Sequence, residues 1–135
     1  MKTISSAQDY VEMASCSEVE GKTALREARL SEEVWIQIIK NHSELKRTVT
    51  LNRYLPENVL RILASDADAQ VRTDVANRRA LPQDLFAVLA RDNDEGVRAR
   101  IAWNRKSPKS VLDRLALDSA DTVSEPARRR VRKAM

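Results

Sequence analysis

The sequence predicts an all-α fold of about five two-helix units, and three observations predict it. The first is a period: Pro56, Pro82 and Pro108 are 26 residues apart, and other columns keep the step. Val59, Leu85 and Val111 align, as do Leu60, Phe86 and Leu112, then Asp66, Asp92 and Asp118, then Val71, Val97 and Val123. A fixed step of this length marks supersecondary units stacked side by side. The second observation is composition. Two glycines, four prolines and 4% aromatics in a chain rich in alanine and arginine suit helices joined by short turns better than sheets. The third is punctuation, with a proline opening each first helix and an aspartate pair closing each turn.

The elements follow in order. Ser6 is placed to cap a helix over 7–15 that carries Tyr10, Met13 and Ala14 on one face. A second helical piece runs over 18–29, with Gly21 as its weak point. A third restarts at Ser31, with Val34, Trp35, Ile38 and Ile39 as its apolar stripe, and Trp35 aligns with the core column of Leu60 and Phe86. Its turn, 41–44, is one residue short, after which Leu45 and Val49 take the columns of Val71 and Val75.

In the clear units proline is expected at the first helical position, where its missing N–H costs nothing. A first helix of about ten residues, roughly 15 Å, follows. Asp68 and Asp94 are then N-caps of short second helices whose Val71/Val75 and Val97/Ile101 face inward. In the last unit the second helix is expected to start at Val123-Ser124-Glu125-Pro126, with Val123, Ala127 and Val131 inward and Arg128 to Lys133 outward. A polar outer face suits a terminal unit. The expected organisation is one domain over 1–135: a degenerate capping repeat at 1–29, clear repeats over 30–118 and a C-terminal capping helix over 119–135.

The runs LPQDLFAVLARDNDEGVRARIAWNRKSP (81–108) and LPENVLRILASDADAQVRTDVANRRALP (55–82) resemble the leucine-rich repeat variant and are also similar to HEAT-like repeats. Both keep the leading proline, Leu-Ala before an acidic turn, then Val-Arg, then a polar exit. The resemblance covers roughly 30–125 and implies a right-handed α-solenoid whose short second helices are either 3₁₀, as in that family, or α-helical, as in HEAT-like pairs, for which the slightly longer unit leaves room. The cysteine cluster that holds an iron–sulfur centre in the family's founding type is absent, because Cys16 is the one cysteine.

Composition narrows the function classes. The chain is 33% charged, with a net charge of +4. Residues 1–45 carry five basic against eight acidic side chains and residues 46–135 carry 19 against 12, so the halves stand at −3 and +7. No run approaches the 18 or so apolar residues of a membrane span, and residues 1–6 lead into no secretory h-region, so a cytoplasmic protein is expected. A lone Cys16 and a lone His42 supply neither a metal site nor a nucleophile–base signature, and there is no glycine-rich phosphate loop. No catalytic residues, metal, cofactor or small-molecule substrate are expected.

What remains is surface. The Asp66, Asp92, Asp118 columns and Arg72, Arg98 read best as capping and unit-to-unit pairing. The exit from each unit repeats Arg53, Arg79 and Arg105 beside Asn52, Arg78 and Asn104, with Lys106 next in line. A stack displays such a column along one edge, at roughly 10 Å steps, where it suits an acidic protein tail or a nucleic-acid backbone. Trp103 shares a column with Leu51 and Asn77, so the position is not uniformly core. Large aromatics are usually buried, which favours a gap-filling Trp103; the alternative is an exposed anchor flanked by arginines. The cluster Arg128, Arg129, Arg130 reads equally as a phosphate-binding face or as cations favoured by a helix C-terminus. The expected function is a non-catalytic scaffold for a protein partner, with nucleic-acid binding through the arginines as the alternative.

Overall fold

Short polar side chains start the helices. Ser6 accepts from the Asp9 N–H, Ser31 from Val34, Asp68 from Gln70 and Asp94 from Val97, each satisfying one donor that a helix N-terminus leaves open. In the computed structural model, which describes residues 3–15 and 19–134, these caps open an all-α structure. Among the described residues there are ten α-helices, one 3₁₀ turn and no strand. Cys16, the one cysteine of the sequence, lies outside the described residues. None of the described helices is long and apolar enough to cross a membrane. No described residue has a positive φ, so the turns are built without glycine.

Contacts group the chain into two compact units, Met1–Leu63 and Ala64–Met135. The first holds α1 (Ala7–Ala14), α2 (Val19–Glu27), α3 (Glu32–Asn41), a 3₁₀ turn (Ser43–Leu45), α4 (Lys46–Val49) and most of α5 (Glu57–Ala64). Its core centres on Tyr10 and Trp35, both fully buried, with rings edge-to-face at 5.3 Å between centroids and 77° between planes. That geometry sets the ring edge of one against the electron-rich face of the other. The second unit holds α6 (Ala69–Ala76), α7 (Gln83–Leu89), α8 (Glu95–Trp103), α9 (Lys109–Leu115) and α10 (Asp121–Ala134). There α8 packs on α6, and α10 packs on both α8 and α9. The Val71, Val97 and Val123 column is buried throughout, as are Val75, Ile101 and Ala127.

Two expectations are corrected and one that stood open is decided. The first helices are shorter than ten residues: α5 has eight, α7 and α9 seven each. The reason is at their starts, where Pro82 and Pro108 are N-caps rather than first helical residues. Their ψ angles of 142° and 152° are extended, and the Pro108 carbonyl accepts from Val111 and Leu112. The second helices are α-helical where an aspartate caps them, eight residues in α6 and nine in α8. The 3₁₀ geometry is found at Ser43–Leu45, where neither His42 nor Leu45 supplies a side-chain cap and the helix that follows has four residues. Finally, α10 begins at Asp121 and runs through Pro126. Proline there gives up one backbone donor inside the helix.

The aspartate column does two jobs. Asp66, Asp92 and Asp118 each accept the backbone N–H two residues on, at 2.9 Å, which tightens the turn. Arg72 Nε then donates to Asp92 Oδ2 at 2.9 Å while its Nη1 donates to the Asp66 carbonyl at 2.7 Å. Arg98 repeats this one period on, with Asp118 Oδ2 at 2.9 Å and the Asp92 carbonyl at 2.8 Å. The Asp92 hydrogen bond holds the Arg72 guanidinium pKa above its ordinary value, with burial opposing it. Each arginine thus ties its own turn to the next turn in the second unit.

Candidate functional site

A second tie runs through the exit column, and it removes two residues from the candidate set. Asn104 is buried, and its Nδ2 donates to the carbonyls of Ala76 at 2.8 Å and Arg78 at 2.6 Å. Its Oδ1 accepts from the Lys106 N–H at 2.9 Å, so every polar position of the amide is engaged. Arg130 stands one period beyond Asn104 and does the same work. Its Nη1 donates to the carbonyls of Ala102 and Asn104, each 26 residues past the carbonyls that Asn104 holds. Burial, with the like charge of Arg105 beside it, lowers the Arg130 pKa from its ordinary value. In the first unit Asn52, fully buried, donates to the carbonyls of Leu25 and Ala28 at 2.8 Å each. Asn104 and Arg130 therefore hold exits together and do not face a partner. Asparagine reaches the same carbonyls from a shorter stem than arginine, which is why the chemistry recurs under two residue types.

The neighbouring arginines differ. Arg53 is exposed and 3.1 Å from the Glu27 carboxylate, one period back. Arg79 and Arg105 are exposed and make no ion pair among the described residues. Lys106 is exposed, with its backbone N–H taken by Asn104. Arg128 is exposed, but its Nε donates to the Ala116 carbonyl at 3.0 Å. Arg129 is exposed without a side-chain bond among the described residues.

Trp103 is the correction that matters most: it is 58% exposed. It is the last residue of α8, and Asn104 then leaves the helix with ψ 122° to reach the carbonyls it holds. The buried positions of α8 are Val97, Ile101 and Ala102, so the indole projects from the opposite side of the last turn. Its column mates behave alike, with Leu51 at 56% and Asn77 exposed. One period on from Trp103 is Arg129, and the two line one groove of about 380 Å³ with Pro126, Arg130, Arg132 and Lys133. The groove has an apolar floor and four cations, and among the described residues no carboxylate lines it. Arg132 and Lys133 are exposed and without side-chain bonds among the described residues. Pro126 was not legible as part of a site; its place was signalled only by the register that aligns 129 with 103.

The first unit carries a smaller counterpart, of about 270 Å³, in which the exposed Leu51 lies with Lys22, Arg26, Leu25, Thr48 and Ala14. A larger depression of about 610 Å³ in the second unit, by Arg91, Arg114 and Leu117, is lined partly by Asp92, Arg98 and Asp118, whose side chains are already engaged, Asp92 by Arg72 and Asp118 by Arg98. Among the described residues no group of three or more His, Cys, Asp and Glu is placed to hold a metal ion. Comparison with known protein families, curated proteins and solved structures finds no match. The functional reading of the Trp103 groove accordingly rests on its own geometry.

Proposed function

We propose that this protein is a non-catalytic helical-repeat scaffold, a right-handed α-solenoid of the leucine-rich repeat variant or HEAT-like kind, that holds a protein partner on the face around Trp103. The observation that carries this reading is the 58% exposure of Trp103 beside Arg129, which has no side-chain bond among the described residues, on a backbone tied by two sets of cross-turn bonds. Tryptophan and arginine are the residues that most often dominate binding energy at protein interfaces. An indole left in water costs solvation free energy that covering it would recover, at about 25 cal/mol per Å² of apolar surface. The rigid ties keep that surface formed before a partner arrives, which lowers the ordering cost of association.

The test is a photo-crosslinking amino acid placed at position 103 and, as a control, at the exposed Val88. Position 103 is expected to give a discrete protein adduct that Arg129→Glu removes and that Val88 does not give. Identical adducts from both positions would refute the scaffold reading. A second reading, binding of a nucleic-acid backbone, is favoured by Arg79 and Arg105, which lack ion pairs among the described residues. It requires retention on DNA or RNA that falls steeply with salt and weakens in Arg79→Ala/Arg105→Ala.

A further inference from the structure

Resting on that reading, we infer that the Trp103 groove takes an acidic, extended peptide segment with an apolar side chain seated on the indole. The groove's composition points to this ligand. Its floor is Trp103 and Pro126, and its rim is Arg129, Arg132 and Lys133; among the described residues no carboxylate lines it, and Glu125 lies with Arg129 and Arg132 in the adjoining depression without an ion pair to either. The fourth lining cation, Arg130, is turned inward onto the Ala102 and Asn104 carbonyls, so it adds positive potential without offering a free guanidinium. Arg105 adds to the same field, since its charge is felt at Arg130.

An apolar floor with a cationic rim matches an extended chain that alternates apolar and acidic side chains, because the apolar ones on one face cover the indole while the acidic ones between them stay at the water-exposed level of the long rim cations. Carboxylates on such a segment meet arginines in the bidentate geometry guanidinium favours. A single-stranded nucleic acid fits less well. It needs successive aromatic platforms and a continuous run of phosphate contacts, and this groove offers one indole and three cations without an ion pair among the described residues. The counterpart in the first unit has the same plan: an exposed apolar Leu51 beside the exposed cations Lys22 and Arg26. Two grooves of one chemistry at register positions two periods apart are a reason to read the chemistry as that of a ligand.

The full chain carries its own reporter. Trp35 is fully buried and Trp103 is 58% exposed, so added quencher reads the second indole. The probes are three synthetic twelve-residue peptides, one alternating Leu and Glu, one of Glu alone and one alternating Leu and Lys, together with a fifteen-residue oligothymidylate. The Leu/Glu peptide is expected to shift Trp103 emission to the blue and to protect it from acrylamide saturably. The midpoint should rise at least tenfold in Arg129→Glu/Arg132→Glu, which leaves the folded core untouched because both side chains are exposed. Equal binding of poly-glutamate would overturn the seated apolar side chain. Tighter binding of the oligothymidylate would overturn the peptide in favour of nucleic acid, and protection by the Leu/Lys peptide would overturn the role of charge. No protection by any probe would also overturn the inference. The scaffold reading would then still stand if the Arg129-dependent crosslink at position 103 persists, and fall if it does not.

Discussion

Arg98→Met separates structural charge from binding charge. The substitution keeps most of the aliphatic stem and removes the guanidinium. It deletes the 2.9 Å bond to Asp118, the 2.8 Å bond to the Asp92 carbonyl and a 3.2 Å bond to the Asn93 carbonyl. It also leaves the Asp118 side chain, 12% exposed, as an uncompensated anion. Breaking a fully buried pair costs about 3–5 kcal/mol, and hydrogen bonds to charged groups contribute about 1.5–3 each. Since this pair keeps some contact with water, at 19% and 12% exposure, the lower end applies, about 3 kcal/mol. With an unfolding entropy of about 2.1 cal/mol/K per residue, a chain of 135 residues loses roughly 3–4 °C of Tm per kcal/mol, so about 10 °C.

The assay is a double-mutant cycle by urea denaturation. Asp118→Asn removes the charge yet retains the side-chain oxygen that accepts the Ala120 N–H. The double variant should be less destabilised than the two singles sum to, with a coupling of at least about 1 kcal/mol. A loss under about 1 kcal/mol for Arg98→Met, or additivity within about 0.5 kcal/mol, would refute the cross-turn tie.

Three further outcomes are expected. Asn104→Ala strands the Ala76 and Arg78 carbonyls and the Lys106 N–H, and should cost about 2–3 kcal/mol in urea denaturation despite its position in the candidate column. Trp103→Ala should change stability by less than about 1 kcal/mol, whereas Trp35→Ala, which empties the fully buried core position, should cost about 3–5 kcal/mol. Burial holds the Tyr10 phenol pKa well above its ordinary value of 10.0, so its contribution to stability is full below pH 10 and is lost as pH rises beyond it, because the unfolded chain ionises first. Urea midpoints measured from about pH 9 to 11 should therefore fall less steeply in Tyr10→Phe than in the wild type.

The helices were legible residue by residue because their signals are local. Ser6, Asp68 and Asp94 cap where serine and aspartate before an apolar stripe should cap. Val71, Val97 and Val123 are buried because a 26-residue step repeats the same inward face. The prolines were misplaced by one position, since sequence shows that proline starts a helix but not whether its ψ has already turned helical. The pairing of Arg72 and Arg98 with the following turn was also readable, because column spacing placed each beside an aspartate.

The site was legible in its parts and not in its assembly. Asn104 and Arg105 at a unit exit, and Arg129 and Arg130 in the C-terminal cluster, look alike in sequence as polar surface residues. The fold divides them by where each backbone carbonyl lies: Asn104 and Arg130 reach unsatisfied carbonyls and turn inward, and Arg105 and Arg129 reach none. Sequence alone determined that this chain is helical and which faces its helices bury, because capping and periodicity act within a few residues. Tertiary structure decided that Trp103 stands in water with Pro126 and Arg129 around it. Exposure depends on what packs against a residue from 23 to 26 positions away, and no local pattern records that.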